Sequence, residues 1–295
     1  MRRGTGLALG IVAVTGGAAL AYAAGVERVR YTLRRIDVPV LAPDAEPLRV
    51  LHISDLHLTP GQVGKQNWVR ELAAVDPDLV LVTGDNLAHP DAVPAVANAL
   101  EPLLDRPGAF VLGSNDYTGP APVNPFAYFR SGHKRSGGVE LPWRDLASVF
   151  SSAGWADLDN AKVELKAGGR MIALAGVDCP HSGRDDYASI AGAAPEAADA
   201  RIGVLHSPEP RLLDRFDADG YDLMVAGHTH GGQVCVPFHG ALVTNCALPA
   251  SMAKGLHRWG AASWLHVSAG LGTSPWAPVR FACPPEATVL TLVPR

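Results

Sequence analysis

Residues 48–57, LRVLHISDLH, and residues 78–86, DLVLVTGDN, decide how this chain folds. Each is a short run of Leu, Val and Ile that stops at a carboxylate: Asp55 with His57 two residues on, and Asp85 followed by Asn86. A continuous apolar run needs cover on both faces, which is the situation of a strand inside an α/β sheet. Outward from these two runs the rhythm repeats. Amphipathic stretches at Lys65–Val75 and Ala92–Leu104 read as helices, Pro94 being tolerated in a first turn. A third strand is predicted at Ala109–Ser114, a helix at Trp143–Ala153, and further strands at Lys162–Lys166, Met171–Val177, Arg201–His206, Leu223–Ala226, Trp264–Ser268 and Thr288–Leu292. Buried strands alternating with helices predict an α/β domain. Residues 118–142 break the rhythm with Gly, Pro and Ser around His133-Lys134-Arg135. A loop of that length is usually functional or mobile, although a basic run on a loop is more often simply solvated.

Composition narrows the function classes. The chain has 295 residues, 47% apolar and 18% charged, which argues against disorder. Its four cysteines, Cys179, Cys235, Cys246 and Cys283, contain no C-x-x-C pair, so neither a zinc ribbon nor a disulfide-dense scaffold fits; four buried thiols or one disulfide remain. A net charge of −4 argues against electrostatic wrapping of nucleic acid.

Charge is uneven along the chain. Six Arg stand against Glu27 and Asp37 in residues 1–37, and the body beyond is acidic. Gly4 to Val26 is uncharged for 23 residues. As a helix it would extend about 34 Å, enough for a bilayer core of about 30 Å. A single-span membrane anchor is one reading. A cleaved signal peptide, with Arg2-Arg3 ahead of it and Ala21-Tyr22-Ala23 as the small-x-small site, is a second, and a buried helix of the folded protein is the third. Counting flanking Arg residues puts the body on the cytoplasmic side, whereas a signal peptide puts it outside. The Arg residues after the span could also lie against anionic headgroups.

The informative feature is what ends the strands. Asp55-Leu56-His57, Gly84-Asp85-Asn86, Gly113-Ser114-Asn115-Asp116, His206 and Gly227-His228-Thr229-His230 each follow an apolar run. Ligands bind beyond the carboxyl ends of α/β strands. Carboxylate, imidazole and amide groups gathered there suit divalent metals of hard to borderline character. Two ions bridged by one carboxylate make a site for displacement at phosphorus. Each block alone is weak; a lone Gly-Asp is usually a turn and a lone strand-end His usually a satisfied core group.

Together, the blocks resemble the calcineurin-like metallophosphoesterase superfamily, and in particular a membrane-associated bacterial branch. The segments that carry the resemblance are ISDLHL (53–58), TGDN (83–86), GVDCPHSGRDD (176–186), AGHTHGGQV (226–234) and VRFACPPE (279–286), within about residues 48–293. It implies a four-layer α/β/β/α sandwich with two mixed β-sheets over residues 38–295, preceded by an N-terminal hydrophobic helix in 1–37. It implies that Asp55, His57 and His230 hold one metal and that His206 and His228, with an Asn, hold a second. Asp85 would bridge the two. The implied reaction is attack of a metal-bound hydroxide on a phosphomonoester or phosphodiester. The implied cofactors are two divalent ions, Mn, Fe or Zn. A lipid-linked or nucleotide-type substrate is attractive because of the apolar leader.

The third block departs from the family's Gly-Asn-His-Asp. Aligned without a gap, Ser114 replaces the ligand Asn and Asn115 the catalytic His; shifted by one, Asn115 is the ligand, and its amide oxygen suits a divalent ion better than a hydroxyl. Either way the His that assists the departing oxygen is missing. Asp116 and His181 are the candidate substitutes. Arg184 could hold a phosphate oxygen, or pair with Asp185 or Asp186. His52 reads as core or as support for the site, and His89, His133, His239, His257 and His266 as surface or structural. The altered block also leaves open a non-catalytic metal-binding scaffold or sensor.

Overall fold

In a computed structural model of the chain, which describes residues 15–120 and 138–295, the apolar runs become the strands of two sheets. In chain order the strands are β1 (Thr32–Leu41), β2 (Leu48–Ile53), β3 (Leu79–Val82), β4 (Gly108–Phe110), β5 (Ala156–Asp157), β6 (Ala161–Ala167) and β7 (Arg170–Val177). They continue with β8 (Ala200–Leu205), β9 (Leu223–Ala226), β10 (Cys235–Val236), β11 (Gly240–Ala241), β12 (Gly255–Trp259), β13 (Ser263–Val267) and β14 (Glu286–Pro294). One six-stranded sheet has the order β1-β14-β2-β3-β4-β5 and the other β12-β13-β9-β8-β7-β6, with β10 and β11 as a separate hairpin. Both large sheets are mixed: β14 runs antiparallel to β2, and β12 and β6 run antiparallel to their neighbours, while the remaining pairs are parallel.

Alternation of side chains along each strand builds three layers of core. Leu48 and Val50 of β2 and Leu79 and Leu81 of β3 meet Ile202 and Val204 of β8 and Leu223 and Val225 of β9 between the sheets. Leu51, Ile53, Val80 and Val82 point the other way, under the helices α1 (Val63–Glu71), α2 (Val93–Leu100) and, beyond the four-residue α3 (Ser114–Tyr117), α4 (Trp143–Ser152). Leu205, Met224 and Ala226 are covered by Leu212, Leu213 and Phe216 of α5 (Pro210–Ala218). The result is the four-layer sandwich, and it explains why the central strands β2, β3, β8 and β9 carry no polar alternation: each is covered on both faces, whereas the edge strand β6 alternates.

The structure corrects several local expectations. The boundary placed at residue 38 falls inside β1, which pairs with β14 from Thr32 onward, so the folded body begins within the basic leader. Arg34 of that strand pairs with the buried Glu286 at 3.1 Å, and the Glu27 carboxylate accepts the Cys283 N–H at 2.6 Å. β1 is an edge strand, where half-exposed residues and Pro39 are tolerated. The strand expected over Ala109–Ser114 ends at Phe110, and Ser114 already starts α3. Helix α5 was not anticipated, although Pro210 at its first turn and the Leu212, Leu213, Phe216 spacing are readable signals. Residues 15–25 are helical. The expected span begins in residues 1–14, which lie outside the described residues, as do His133, Lys134 and Arg135; among the described residues no helix is long and apolar enough to cross a membrane. All four cysteines are free, and Cys246 is only half-buried.

Candidate metal centre

The carboxyl ends of β2, β3, β8 and β9 open onto one region, and each delivers its polar residues through a sharp corner. Asp55 (φ 52°), His57 (φ 40°), Asp85 (φ 54°), His228 (φ 69°) and His230 (φ 49°) all have left-handed backbone. Asp and His visit that region more readily than most residues, but each still costs about 1 kcal/mol or more, and such strain concentrates where a site demands it. Cross-strand bonds hold the corners: Asp55 N–H donates to Gly84 O and His57 N–H to Asp85 O, both at 2.9 Å. Gly113 packs so closely on Asp85 that a Cβ there would overlap the carboxylate, which is why this turn requires glycine.

Two groups of donors result, and they share one residue. Asp55, His57, Asp85 and His230 offer ligand atoms within 4.8 Å of one another, and Asp85, His206 and His228 do likewise. Asp85 Oδ2 lies 3.6 Å from His57 Nε2 and Asp85 Oδ1 lies 3.3 Å from His206 Nε2. His57 Nε2 and His230 Nε2 are 3.3 Å apart, and His230 Nε2 is 3.7 Å from Asp55 Oδ1. Asn115 joins from α3: its backbone N–H donates to Asp85 Oδ1 at 2.7 Å and its amide lies 2.5 Å from Asp85 Oδ2. Ser114, the other reading of the third block, is half-buried beside it.

The surroundings choose the imidazole tautomers. His206 Nδ1 donates to Thr83 O at 2.7 Å, which turns Nε2 toward Asp85. His228 Nε2 donates to Asn245 O at 3.3 Å, which leaves Nδ1 facing His206. Such outer hydrogen bonds orient metal-binding imidazoles. Burial pushes the Asp85 carboxyl up, yet His206, His57 and His228 outweigh it and hold Asp85 well below the usual carboxylate range. Burial pushes His206 down, and the Asp85 carboxylate overcomes that to raise it well above the ordinary imidazole value. Burial, with Asp85 close by, raises Asp55 to about 6. A cluster this buried, with two carboxylates among imidazoles whose ring nitrogens converge, fits a pair of divalent ions bound through oxygen and nitrogen.

The remaining predicted residues fall into two places. Asp116 is fully buried and its oxygens accept the N–H groups of Asn86 (2.7 Å), Leu87 (3.0 Å) and Gly113 (2.9 Å), tying the third block to the second. Burial, aided by the Asp85 charge, pushes Asp116 up to about 7. His181 stacks on the metal-facing His228 with ring centroids 4.2 Å apart, and its Nε2 lies 3.2 Å from Glu209 Oε1. Arg184 lies over the Tyr117 ring at 4.1 Å. The expected partner Asp185 is instead bonded to Arg211 at 2.6 Å.

Three contributors escaped sequence reasoning. Glu209, at the start of α5, reaches His181. Lys65, on α1, is buried and donates to Leu56 O at 2.7 Å, pinning the Asp55–His57 corner; burial lowers its ammonium to about 7. Arg280 is wholly buried behind His230 and donates to the carbonyls of Ala269 (2.6 Å), Gly270 (3.1 Å) and Gly272 (2.7 Å). The same guanidinium reaches Cys283 O (3.3 Å), His230 O (3.4 Å) and His230 Nδ1 (3.4 Å). Of the three, Arg280 alone had a signal, its place in the segment 279–286. His52, read as core or support, is buried and bonded at 2.8 Å to the Oγ1 of Thr83, the same residue whose carbonyl orients His206.

Comparison with known proteins agrees with this geometry. The profile of the family described as calcineurin-like phosphoesterase matches residues 48–232, a span that includes every donor named above. The protein YpbG of Bacillus subtilis is 28% identical, with 83% of this chain and 81% of that one aligned. The metallophosphoesterase YkuE of Bacillus subtilis is 26% identical over 97% of this chain and 93% of its own length. The phosphodiesterase YaeI of Escherichia coli is 26% identical over 85% of this chain and 84% of its own.

Proposed function

This chain belongs to the calcineurin-like phosphoesterase family, and from that premise we propose that it cleaves phosphodiesters of amphiphilic molecules at a lipid surface. The phosphoesterase activity itself rests on the family and on the two donor groups that share Asp85. The diester preference is supported by the likeness to a protein named phosphodiesterase. Divalent ions held by the seven donors would activate water at neutral pH and offset charge on the phosphoryl oxygens.

The residues around the donors do the rest. Asp85 is the shared carboxylate, and Asn115 is the third-block ligand through its amide oxygen, since its side chain is the one held against Asp85, by an Nδ2–H bond. His181 is the proton donor for the departing oxygen: it leans on His228, is about a third exposed, and is backed by the Glu209 carboxylate. Arg184, spread over Tyr117 one residue after Asp116, holds a phosphate oxygen of the entering substrate. Asp116, clamped by three backbone N–H groups, positions the second and third blocks. A general acid contributes about 10²–10⁴-fold. Hence His181→Gln should slow diesters of poorly acidic alcohols about 10²-fold while leaving bis-p-nitrophenyl phosphate nearly unchanged. An equal loss on both classes, or none on either, would remove His181 from that role.

The observation that carries the lipid reading is an exposed apolar rim. Val234, Val236, Phe238 and Leu242 all project around the β10–β11 hairpin, a few residues after His230, and Phe238 is fully exposed. The apolar leader reaches the same flank: Tyr22 meets Phe281 edge-on at 6.4 Å, and Ala23 O accepts the Arg280 N–H at 3.1 Å. Burying one phenylalanine in lipid is worth about 1.5–3 kcal/mol, so Phe238→Asp in the full chain should lower turnover of a diester presented in phosphatidylglycerol vesicles about tenfold or more. Turnover of a water-soluble diester should not change. Equal turnover of the vesicle substrate by both proteins would rule out the hairpin as a lipid contact.

A further inference from the structure

Outside the donor groups, the strongest unassigned chemistry is a pair of thiols directly behind them. Cys235 begins β10, five residues after His230, and Cys283 sits in the turn that leads into β14. Both are buried and free, and they form one small apolar cluster with Ala269. A single oxygen, the Gly231 carbonyl, accepts from both, at 3.1 Å from Cys235 Sγ and 3.4 Å from Cys283 Sγ. Backbone pairing fixes the approach: Cys235 N–H donates to Phe281 O at 2.8 Å and Phe281 N–H donates to Gln233 O at 3.1 Å. Two cations face the pair, Lys254 Nζ at 3.7 Å and Arg280 Nη1 at 4.0 Å from Cys283 Sγ. Reactive thiols occupy electropositive surroundings of this kind, whereas structural thiols usually sit among apolar groups only. Cys179 and Cys246 lie in other clusters.

We infer that Cys235 and Cys283 are a redox pair that closes to a disulfide, tying the β10–β11 hairpin to the loop that carries Arg280. The oxidant is a low-molecular-weight disulfide. The Cys283 thiolate, the sulfur that both cations face, attacks it and expels one small thiolate, giving a mixed disulfide at Cys283. The expelled thiolate takes the Cys235 proton, and the Cys235 sulfur then attacks the Cys283 sulfur and expels the second small thiol. The protein loses two protons and two electrons, and the oxidant is reduced to two thiols. Access requires only local opening, because β10 and β11 pair at just two positions, Cys235 with Ala241 and Val236 with Gly240.

The test is incubation of the full chain with oxidised glutathione, followed by alkylation under denaturing conditions and mass spectrometry. Trypsin places Cys235 in residues 216–254 and Cys283 in residues 281–295. Residues 216–254 also contain Cys246, so the digestion is repeated in a Cys246→Ser background. We expect an intact mass lower by two hydrogens, a 216–254 to 281–295 cross-link that vanishes with dithiothreitol, and its absence in Cys235→Ala. The cross-linked form should melt about 4–10 °C above the reduced form, since the bond closes a long loop of the unfolded chain. Four alkylated thiols after oxidation, a stable glutathione adduct on a single cysteine, or a cross-link through Cys179 or Cys246 would each overturn the inference. The wild-type cross-link decides the matter even if the alanine variant does not fold.

Discussion

Asp85→Asn should leave the protein folded while removing its activity by about 10³-fold or more and reducing bound metal to one ion per chain or fewer. The substitution suits the backbone, because asparagine accepts the left-handed conformation found at this position (φ 54°) nearly as well as aspartate. It fails chemically. Asp85 accepts from the Asn115 backbone and amide at 2.7 and 2.5 Å, and its oxygens lie within 3.6 Å of imidazole nitrogens on both sides. An amide brings an NH₂ group against one of those donors and supplies no charge to hold two dications in one buried space. Unfolding curves, elemental analysis of the dialysed protein and hydrolysis of bis-p-nitrophenyl phosphate check the three parts of the prediction. A variant that kept two ions and its rate would show that the two donor groups do not share Asp85.

Arg280→Met is expected to cost about 3–5 kcal/mol of stability, a fall of roughly 10 °C in Tm, without touching any ligand atom. Burying a guanidinium is unfavourable in itself, and burial lowers the Arg280 pKa. An apolar isostere can therefore stabilise a protein when both partners of a buried ion pair are replaced. Here only one side is replaced. The buried carbonyls of Ala269, Gly272 and Cys283 stay behind with their donor gone, while those of Gly270 and His230 keep the N–H groups of Glu286 and Gln233. Unpaired acceptors of this kind cost about 1–3 kcal/mol each, so their loss outweighs the gain from removing the charge. Arg280→Lys should recover only part of the difference, because one ammonium cannot span carbonyls on two loops. Thermal unfolding of the three proteins decides it, and an unchanged Tm in the methionine variant would mean that the loops rearrange to satisfy themselves.

How much of this was legible from the sequence depends on where each residue sits. The gathering of Asp55, His57, Asp85, His206, His228 and His230 was readable because several apolar runs end in a carboxylate or imidazole, although any one of these ends alone reads as a turn or a satisfied core group. The central strands of the two sheets were readable because burial on both faces leaves a continuous apolar run, and the edge strand β6 because its residues alternate. β1 was hidden because an edge strand needs only one good face: Arg34 and Arg35 look outward, Pro39 interrupts the pattern, and only Val38, Val40 and Leu41 are buried. Arg280 stood in a segment that carried the resemblance, but its burial was hidden: an arginine beside Ala282, Pro284 and Pro285 reads as a solvated loop residue, and the carbonyls that receive it have no signature in residue types. The positions of Asn115 and Ser114 were not readable, because only the start of α3 brings the Asn115 amide against Asp85 and leaves Ser114 half-buried beside it.

The left-handed corners at Asp55, His57, Asp85, His228 and His230 have an evolutionary consequence. Glycine would relax the torsion at each of them, so local conformational preference and ligand chemistry pull these positions in opposite directions. A lineage released from hydrolysing phosphoesters would meet no resistance from its own backbone as it gave up these side chains. Replacing any of the five by glycine would therefore ease the chain locally while removing the side chain that the corner presents.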